Sequence, residues 1–332
     1  MKAALPGEAG SARRFAQLAG RPSATELEDQ HRPEGSGLLW AISGYTCDPG
    51  PLRIHIHRGA ELGIILSGEE EVHYSDLVLT CGPGDVWLCN IYEPHGARLR
   101  SAERRSVVLI FLPEFIGREM VGGVCWLTLF SVPPQERPQA RSPELRRRAL
   151  EIGQVLRREI EQKPPRWESV VRVQALRLLT ELSREWTVPL SAQAQGPAAV
   201  DGIDRVLPAL SLVQSRPWRK VSVAEAAAAC ALGPSRFQAL FRSTMGVSFG
   251  EFGIRARVTF AAQRLAHTRQ TVSAIATETG FVDDSHLHRH FVRLYGCTPA
   301  HYREHSEMPL LRPRVEAPVA GRLRRPPRRP EA

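Results

Sequence analysis

The sequence lacks a long apolar run and any paired cysteine motif. No stretch of its 332 residues is long and apolar enough to span a bilayer, so we expect no membrane partner. The six cysteines are scattered without a C-x-x-C pair, which argues against a zinc finger or a disulfide framework and favours a reduced, cytoplasmic protein. The first twenty residues have little apolar core and include Glu8, so we expect no secretion signal.

Lysine is also scarce, because it occurs only at Lys2, Lys163 and Lys220. The net charge of +9 therefore comes from arginine, and it favours a polyanionic partner such as DNA. A compositional bias toward arginine codons would give the same charge, so charge alone does not identify the partner. With 42% hydrophobic residues, a chain of this length can form two domains that each bury a core.

Residues 271–303 carry the pattern of a helix-turn-helix. Apolar residues recur at helical spacing on both sides of Gly280, which suits the end of the first helix. The N-cap candidates for the second helix are Asp283, Asp284 and Ser285. The second helix of such a motif can enter the DNA major groove. Off its apolar stripe lie the polar residues that we expect to face DNA: Ser285, His286, His288, Arg289 and Arg293.

The same pattern of residues occurs fifty residues upstream and aligns without a gap, which indicates a duplicated unit. Between the copies, residues 252–268 suit one connecting helix. Two rigidly joined units could enter successive major-groove faces about one helical turn apart. The matching positions are Ala226 and Ala276, Ser235 and Ser285, Phe237 and Leu287, Phe241 and Phe291, Gly246 and Gly296, Ser248 and Thr298, and Phe252 and Tyr302. In the first unit we expect DNA contacts from Ser235, Arg236, Gln238 and Arg242.

Residues 203–303 resemble the DNA-binding region of the AraC/XylS-type bacterial transcription regulators. The specific part is I-A-x-x-x-G-F-x-D-x-S-H-L-x-R-x-F at 275–291, followed by G-x-T-P-x-x-Y-R at 296–303. The first copy fits more loosely, since Ala239 stands where the family often has arginine. The resemblance implies double-stranded DNA and a small-molecule effector as partners, homodimerisation, and RNA polymerase as a further candidate partner.

Residues 38–112 have a different sequence pattern, in which short runs of β-forming residues are separated by turns such as Asp48-Pro49-Gly50. This pattern predicts an antiparallel barrel or jelly roll. The predicted strands are the runs LLWAIS, LRIHIH, LGIILSG, EEVHYS, DVWLCN and SVVLIFL.

Polar side chains of one predicted strand share a face, because Arg53, His55 and His57 alternate along it. The two histidines, Glu61 and Gly68 form the pattern His-x-His-x3-Glu-x6-Gly, which resembles the first motif of the cupin family. A second stretch, from Gly84 to His95, has the cupin spacing. The sequence departs from the family pattern at Asn90, Tyr92 and Leu99.

The cupin resemblance leaves two roles open for these residues. It implies a metal set of His55, His57, Glu61 and His95, three nitrogens and one carboxylate that suit zinc, iron, nickel or manganese. In AraC-type regulators, however, the cupin-like sensor barrel most often serves as a metal-free effector pocket. In that role the lining residues would be Arg53, His55, His57, Glu61 and His95.

Between the barrel and the DNA-binding region we expect two helices, at 142–162 and 167–186, after a short helix and loop. The predicted fold is thus an α+β multidomain chain: an N-terminal cupin-like antiparallel β-barrel, a helical connector and a C-terminal all-α tandem helix-turn-helix domain. The predicted parts are a flexible N-terminus (1–36), the barrel (37–115), the connector or dimerisation region (116–187), a linker (188–202), the DNA-binding domain (203–305) and a disordered basic tail (306–332).

The sequence therefore favours a DNA-binding transcription regulator, not an enzyme, controlled by an effector in the barrel. The alternative is a metal-dependent cupin enzyme, a dioxygenase or isomerase, fused to a DNA-binding domain. A third hypothesis is a structural DNA-binding protein without a sensor. The four metal-ligand candidates favour the enzyme, whereas the two helix-turn-helix units oppose it.

Overall fold

The computed structural model describes residues 37–47, 52–189 and 202–305. The predictions for the N-terminal 1–36, the turn at 48–50, most of the linker and the tail at 306–332 lie outside the described residues, as does the side chain of Arg53. In the described part, a β-rich N-terminal domain is followed by a helical C-terminal domain, which confirms the predicted fold class.

Short antiparallel strands build the N-terminal domain. All six predicted runs form strands, and two further strands, β5 and β7, complete the barrel. The strands are β1 (Leu38–Thr46), β2 (Arg53–His55), β3 (Ala60–Ser67), β4 (Glu70–His73), β5 (Val78–Cys81), β6 (Val86–Cys89), β7 (His95–Leu99) and β8 (Arg104–Phe111), with a small hairpin of β9 (Met120–Val121) and β10 (Val124–Cys125).

The eight barrel strands form two four-stranded sheets, in the orders β1-β8-β3-β6 and β2-β7-β4-β5. Alternate residues of a strand face opposite sides, so each sheet has an inner and an outer face. Inner residues of both sheets form one buried cluster around Ile65, Trp87 and Tyr74. The two sheets therefore enclose a common interior, as expected for a barrel or jelly roll.

The long connector helix covers the outer face of the first sheet. Ser142 caps the long helix by accepting a hydrogen bond from the amide of Leu145, as the sequence predicts. Leu145 and Ile152 pack in one core with Leu62 and Ile64 of β3. The elements are α1 (Pro113–Ile116), α2 (Thr128–Ser131), a 3₁₀ turn (Pro134–Glu136), α3 (Pro143–Gln162) and α4 (Trp167–Arg184).

The C-terminal domain contains the two predicted helix-turn-helix units and the connecting helix. Both second helices end at a glycine in the left-handed conformation, Gly246 with φ 73° and Gly296 with φ 72°. None of the described helices combines the length and hydropathy that a membrane crossing requires. The helices are α5 (Gly202–Ser215), α6 (Val223–Ala229), α7 (Pro234–Met245), α8 (Phe249–His267), α9 (Val272–Glu278), α10 (Asp284–Tyr295) and α11 (Pro299–His305).

Candidate nucleic-acid interface and barrel site

Glu61 lies at the centre of a buried polar cluster inside the barrel. Its Oε2 atom is 3.0 Å from His57 Nε2 and 3.3 Å from His95 Nε2. Its Oε1 atom accepts a 2.7 Å hydrogen bond from Trp87 Nε1. Strand β3 supplies Glu61, β6 supplies Trp87 and β7 supplies His95, so the cluster joins the two sheets.

Backbone carbonyls fix the orientation of both imidazoles. His57 Nδ1 is 2.9 Å from the carbonyl of Gly59, and His95 Nδ1 is 2.8 Å from the carbonyl of Glu93. A carbonyl oxygen can only accept, so each Nδ1 carries the proton and each Nε2 is directed at Glu61. Metal-binding histidines in proteins are commonly held in this way.

The charged groups of this cluster shift one another's pKa values. Burial alone would raise the pKa of Glu61, but His95 and His57 outweigh it and hold that pKa well below its usual range. Burial alone would lower the pKa of His95, but Cys89 and Glu61 outweigh it and hold that pKa well above its usual range. Glu61 is therefore an anion beside a protonated His95 when no cation is bound.

Three of the four predicted metal ligands come together. One ligand atom each from His57, Glu61 and His95 lies within 4.8 Å of the other two. His55 lies opposite His95 in the pairing of β2 and β7, with ring centroids 5.9 Å apart, but it is outside this group. Two nitrogens and one carboxylate oxygen suit zinc or another divalent transition metal with open positions.

The same interior also contains Trp87, Cys89 and Tyr74. The sequence analysis did not predict these three as site residues. The Tyr74 hydroxyl donates to the carbonyl of Leu88 at 2.9 Å, and Cys89 lies opposite Glu61 in the strand pairing. Gly63 lies opposite Trp87, and a Cβ atom on Gly63 would be 2.0 Å from the indole ring. The missing side chain at Gly63 thus makes room for the indole that bonds Glu61.

A second polar group lies on the inner face of the barrel. Glu70 of β4 pairs with Arg104 of β8 across the two sheets. Three side-chain atoms of this group are buried and have no hydrogen-bond partner in the described part of the chain: Glu70 Oε1, Arg104 Nε and Ser106 Oγ. Because an unsatisfied buried polar atom costs about 1–3 kcal/mol, these atoms suit a bound polar molecule or ordered water.

The loop that follows β6 joins the barrel site to the first helix-turn-helix unit. Tyr92 donates its amide to the carbonyl of His57 at 2.9 Å, and its ring makes an edge contact with Phe252 of α8 at 5.2 Å. Asn90 Nδ2 donates to the carbonyl of Met245, the last residue of α7, at 2.8 Å. Tyr92 has a φ of 54°, an uncommon conformation for a residue with a side chain.

A buried ion pair stabilises the loop that follows β6. Arg137 donates two hydrogen bonds of 2.7 Å to the carboxylate of Glu93. Burial alone would raise the pKa of Glu93, but Arg137 outweighs it and holds that pKa below its usual range. Arg137 also donates to the carbonyl of Leu88 at 2.7 Å, so both ends of the loop are fixed.

On the second helix of the first unit, α7, the four predicted DNA-facing side chains share an exposed surface. The apolar stripe of α7, including Phe237 and Phe241, is fully buried against the domain core. Among the described residues, Arg236 and Arg242 make no ion pair, so both guanidinium groups are available to a partner. The exposed residues of this surface are Ser235, Arg236, Gln238 and Arg242.

The five predicted residues of the second unit fall into two groups. Ser285, His288 and Arg289 are exposed on α10. Arg293 instead donates two hydrogen bonds of 3.0 Å to Glu251 of α8. His286 is partly buried, with its Nε2 3.1 Å from His290 Nε2.

Comparisons with known proteins match both parts of the chain. The profile of the AraC-like ligand binding domain matches residues 47–164, and a helix-turn-helix domain profile matches residues 226–305. The arabinose operon regulatory protein of Salmonella typhimurium is 24% identical over 254 residues, which cover 75% of this chain and 85% of that protein.

Other similarities cover shorter parts of the chain or are distant. The probable transcriptional regulator LumQ of Photobacterium leiognathi is 36% identical over 91 residues, 27% of this chain. A putative AraC-like transcription regulator of Streptomyces antibioticus is 33% identical over 100 residues, 30% of this chain. The chain spans only 37% and 33% of the lengths of these two relatives. The crystal structure of ToxT from Vibrio cholerae aligns with a TM-score of 0.49 at 12% identity, covering 81% of this chain and 98% of ToxT.

Proposed function

The chain belongs to the AraC family of bacterial transcription regulators, and from this premise we propose that it binds specific duplex DNA under the control of a small effector. The two helix-turn-helix units contact the DNA, and the barrel holds the effector. In this proposal the chain is a regulator and not an enzyme. RNA polymerase and a second copy of the chain, through the connector helices, are its further partners.

The observation that carries the proposal is the duplicated unit with an exposed polar helix in each copy. On α7, Gln238 can pair with adenine and Arg236 with guanine through two hydrogen bonds each. On α10, Arg289 is exposed and, among the described residues, makes no ion pair, so it suits guanine in the same way. Arg242, beside this face of α7, suits a phosphate contact.

Arg289→Ala tests the second unit. On a duplex selected from a random pool by the full chain, we expect this change to cost about 1–3 kcal/mol and to relax the preference at one base pair. Arg264→Ala is the matched control, because Arg264 pairs with Glu278 away from the exposed face of α10. Unchanged affinity and preference in Arg289→Ala would remove this residue from the interface.

The barrel interior suggests the chemistry of the effector. It has a charged cluster around Glu61 and a second polar group around Glu70, with apolar and aromatic side chains lining the same inner face. Because Glu70 and Arg104 already neutralise each other, a neutral hydroxyl or amide group fits their free atoms and Ser106. We therefore propose a small effector with an uncharged polar group at this end.

Control of DNA binding passes through the loop at 90–93. An effector or metal that moves His57 would move the carbonyl to which Tyr92 donates, and Tyr92 contacts Phe252 of the connecting helix α8, which follows the first unit. Such a ligand shifts the first unit from one position to another only if the chain binds the ligand with different affinity in the two conformations.

The His57–Glu61–His95 cluster favours one further candidate, a metal-dependent cupin enzyme. A divalent metal there would act as a Lewis acid, and the same cluster would serve equally as the metal-loaded part of an effector site. Metal analysis of the purified chain, with turnover assays and a His57→Ala control, separates these roles. Bound metal with turnover that is lost in the variant would favour the enzyme.

A further inference from the structure

The connecting helix α8 contacts the second unit at two points along its length. Near its middle, Arg257 donates to the carbonyl of Gly280 at 2.8 Å, and its guanidinium lies 4.4 Å from the ring centroid of Phe281. Near its first turn, Glu251 accepts both hydrogen bonds from Arg293 of α10. The first contact fixes the turn before α10, and the second fixes α10 itself.

Glu251 is well placed to hold α10 because it lies in the first turn of α8, next to the first unit. Its amide is tied to the N-cap Ser248, and Arg255 donates to the same carboxylate at 2.9 Å. Two parallel hydrogen bonds between guanidinium and carboxylate fix orientation as well as distance. Glu251 therefore connects the start of α8 directly to the second helix of the other unit.

The contact continues along α10 to a residue predicted to face DNA. Arg293 Nη2 is 3.4 Å from His290 Nδ1, and arginine can only donate, so His290 Nδ1 is an acceptor. Neutral His290 then carries its proton on Nε2 and donates it to His286 Nε2 at 3.1 Å. His286 Nδ1 is buried and has no hydrogen-bond partner among residues 37–47, 52–189 and 202–305, so neither ring nitrogen of His286 is offered to a base in this state.

We propose that Glu251 is a positioning residue for DNA recognition, which sets the orientation of α10 through Arg293, His290 and His286. This inference rests on the proposed function, since it assigns a source of sequence preference outside both second helices. It replaces the expected direct DNA contacts of Arg293 and His286 with an indirect role. Base contacts in the second unit then fall to Ser285, His288 and Arg289.

Glu251→Gln tests the proposal. The expected result differs according to whether Arg293 holds α10 in place through Glu251 or binds a DNA phosphate. If Glu251 positions α10, the variant loses about tenfold in discrimination at base pairs contacted by the second unit and keeps the preference of the first unit. If Arg293 is a phosphate ligand, releasing it raises affinity for all duplexes equally and leaves discrimination unchanged. The quantity to measure is the ratio of Kd values for singly substituted and selected duplexes, bound by the full chain.

Glu278→Gln is the matched control, since Glu278 pairs with Arg264 in the same domain and its loss removes the same charge. A second readout does not depend on DNA: the imidazole nitrogen resonances of His290 and His286 should change in Glu251→Gln and stay unchanged in Glu278→Gln. Unchanged discrimination and unchanged resonances in Glu251→Gln would overturn the inference. A wild-type chain without any discrimination would instead overturn the proposed function, and this inference with it.

Discussion

At the scale of single residues, Glu61 determines the chemistry of the barrel. One carboxylate oxygen faces two imidazoles and the other accepts from an indole, while burial isolates the group from water. Without a cation, the hydrogen bond between His95 Nε2 and Glu61 requires a proton on that Nε2, because the Nδ1 proton of His95 already faces a carbonyl. A divalent cation bound in the cluster would displace that proton.

Zinc titration tests this exchange of a proton for a metal ion. We expect binding to release the His95 proton, about one proton per zinc ion, which calorimetry in buffers of different ionisation enthalpy would measure. Glu61→Gln should weaken binding by at least about tenfold. Glu71→Gln, which alters a neighbouring glutamate–histidine contact, should bind zinc normally. Equal affinity in both variants would show that the cluster is not a metal site.

Gly63 provides a second prediction at this scale. Gly63→Ala places a Cβ atom 2.0 Å from the Trp87 ring, so the ring must move away from Glu61. We expect a loss of about 1–3 kcal/mol in the free energy of unfolding, measured by denaturant titration. Gly44→Ala on neighbouring β1 is the control, since its Cβ would meet Ser106 Oγ at an ordinary 3.5 Å. Similar stabilities of the two variants would contradict the packing described for Trp87.

At the scale of elements, the C-terminal end of α7 is where the first unit meets the connector. Gly246 ends α7 in the left-handed conformation, and a Cβ atom on it would lie 2.0 Å from the carbonyl oxygen of Ser131. Ser131 is the last residue of α2, so the approach of two helix ends depends on a missing side chain. The same position is therefore constrained both by helix termination and by contact between the domains.

Gly246→Ala should separate these two constraints when it is compared with Gly296→Ala. Both variants force alanine into a positive φ, which costs about 1 kcal/mol. Only Gly246→Ala should also displace the first unit from α2, and thermal unfolding with hydrogen exchange at α2 would detect it. Identical hydrogen exchange at α2 in the two variants would rule out the close contact.

At the scale of the whole molecule, local patterns predicted the elements, but not the contacts that join them. The Ser142 cap and the apolar stripe predicted α3, and the fifty-residue repeat predicted both helix-turn-helix units, because helical periodicity is a local property. Strand β5 was missed because its four residues offer little alternation. The contact between Glu251 and Arg293 joins residues 42 positions apart, and folding alone brings them together.

Asn90→Ala tests the contact between the barrel and the first unit. Loss of the bond to the carbonyl of Met245 should cost about 1–2 kcal/mol and speed amide hydrogen exchange at the end of α7. Gln214→Ala is the control, because Gln214 makes a separate 3.2 Å contact with the carbonyl of Arg58. If exchange at the end of α7 is unchanged in Asn90→Ala, the loop at 90–93 does not hold the first unit.

The most direct test of the account is the sequence of duplexes that the full chain selects from a random pool at physiological ionic strength. Two joined units predict two enriched elements about 10 base pairs apart, centre to centre, and Arg289→Ala should relax one of them while leaving the other unchanged. A selected pool without enriched elements, bound only through salt-sensitive attraction to phosphate, would contradict it.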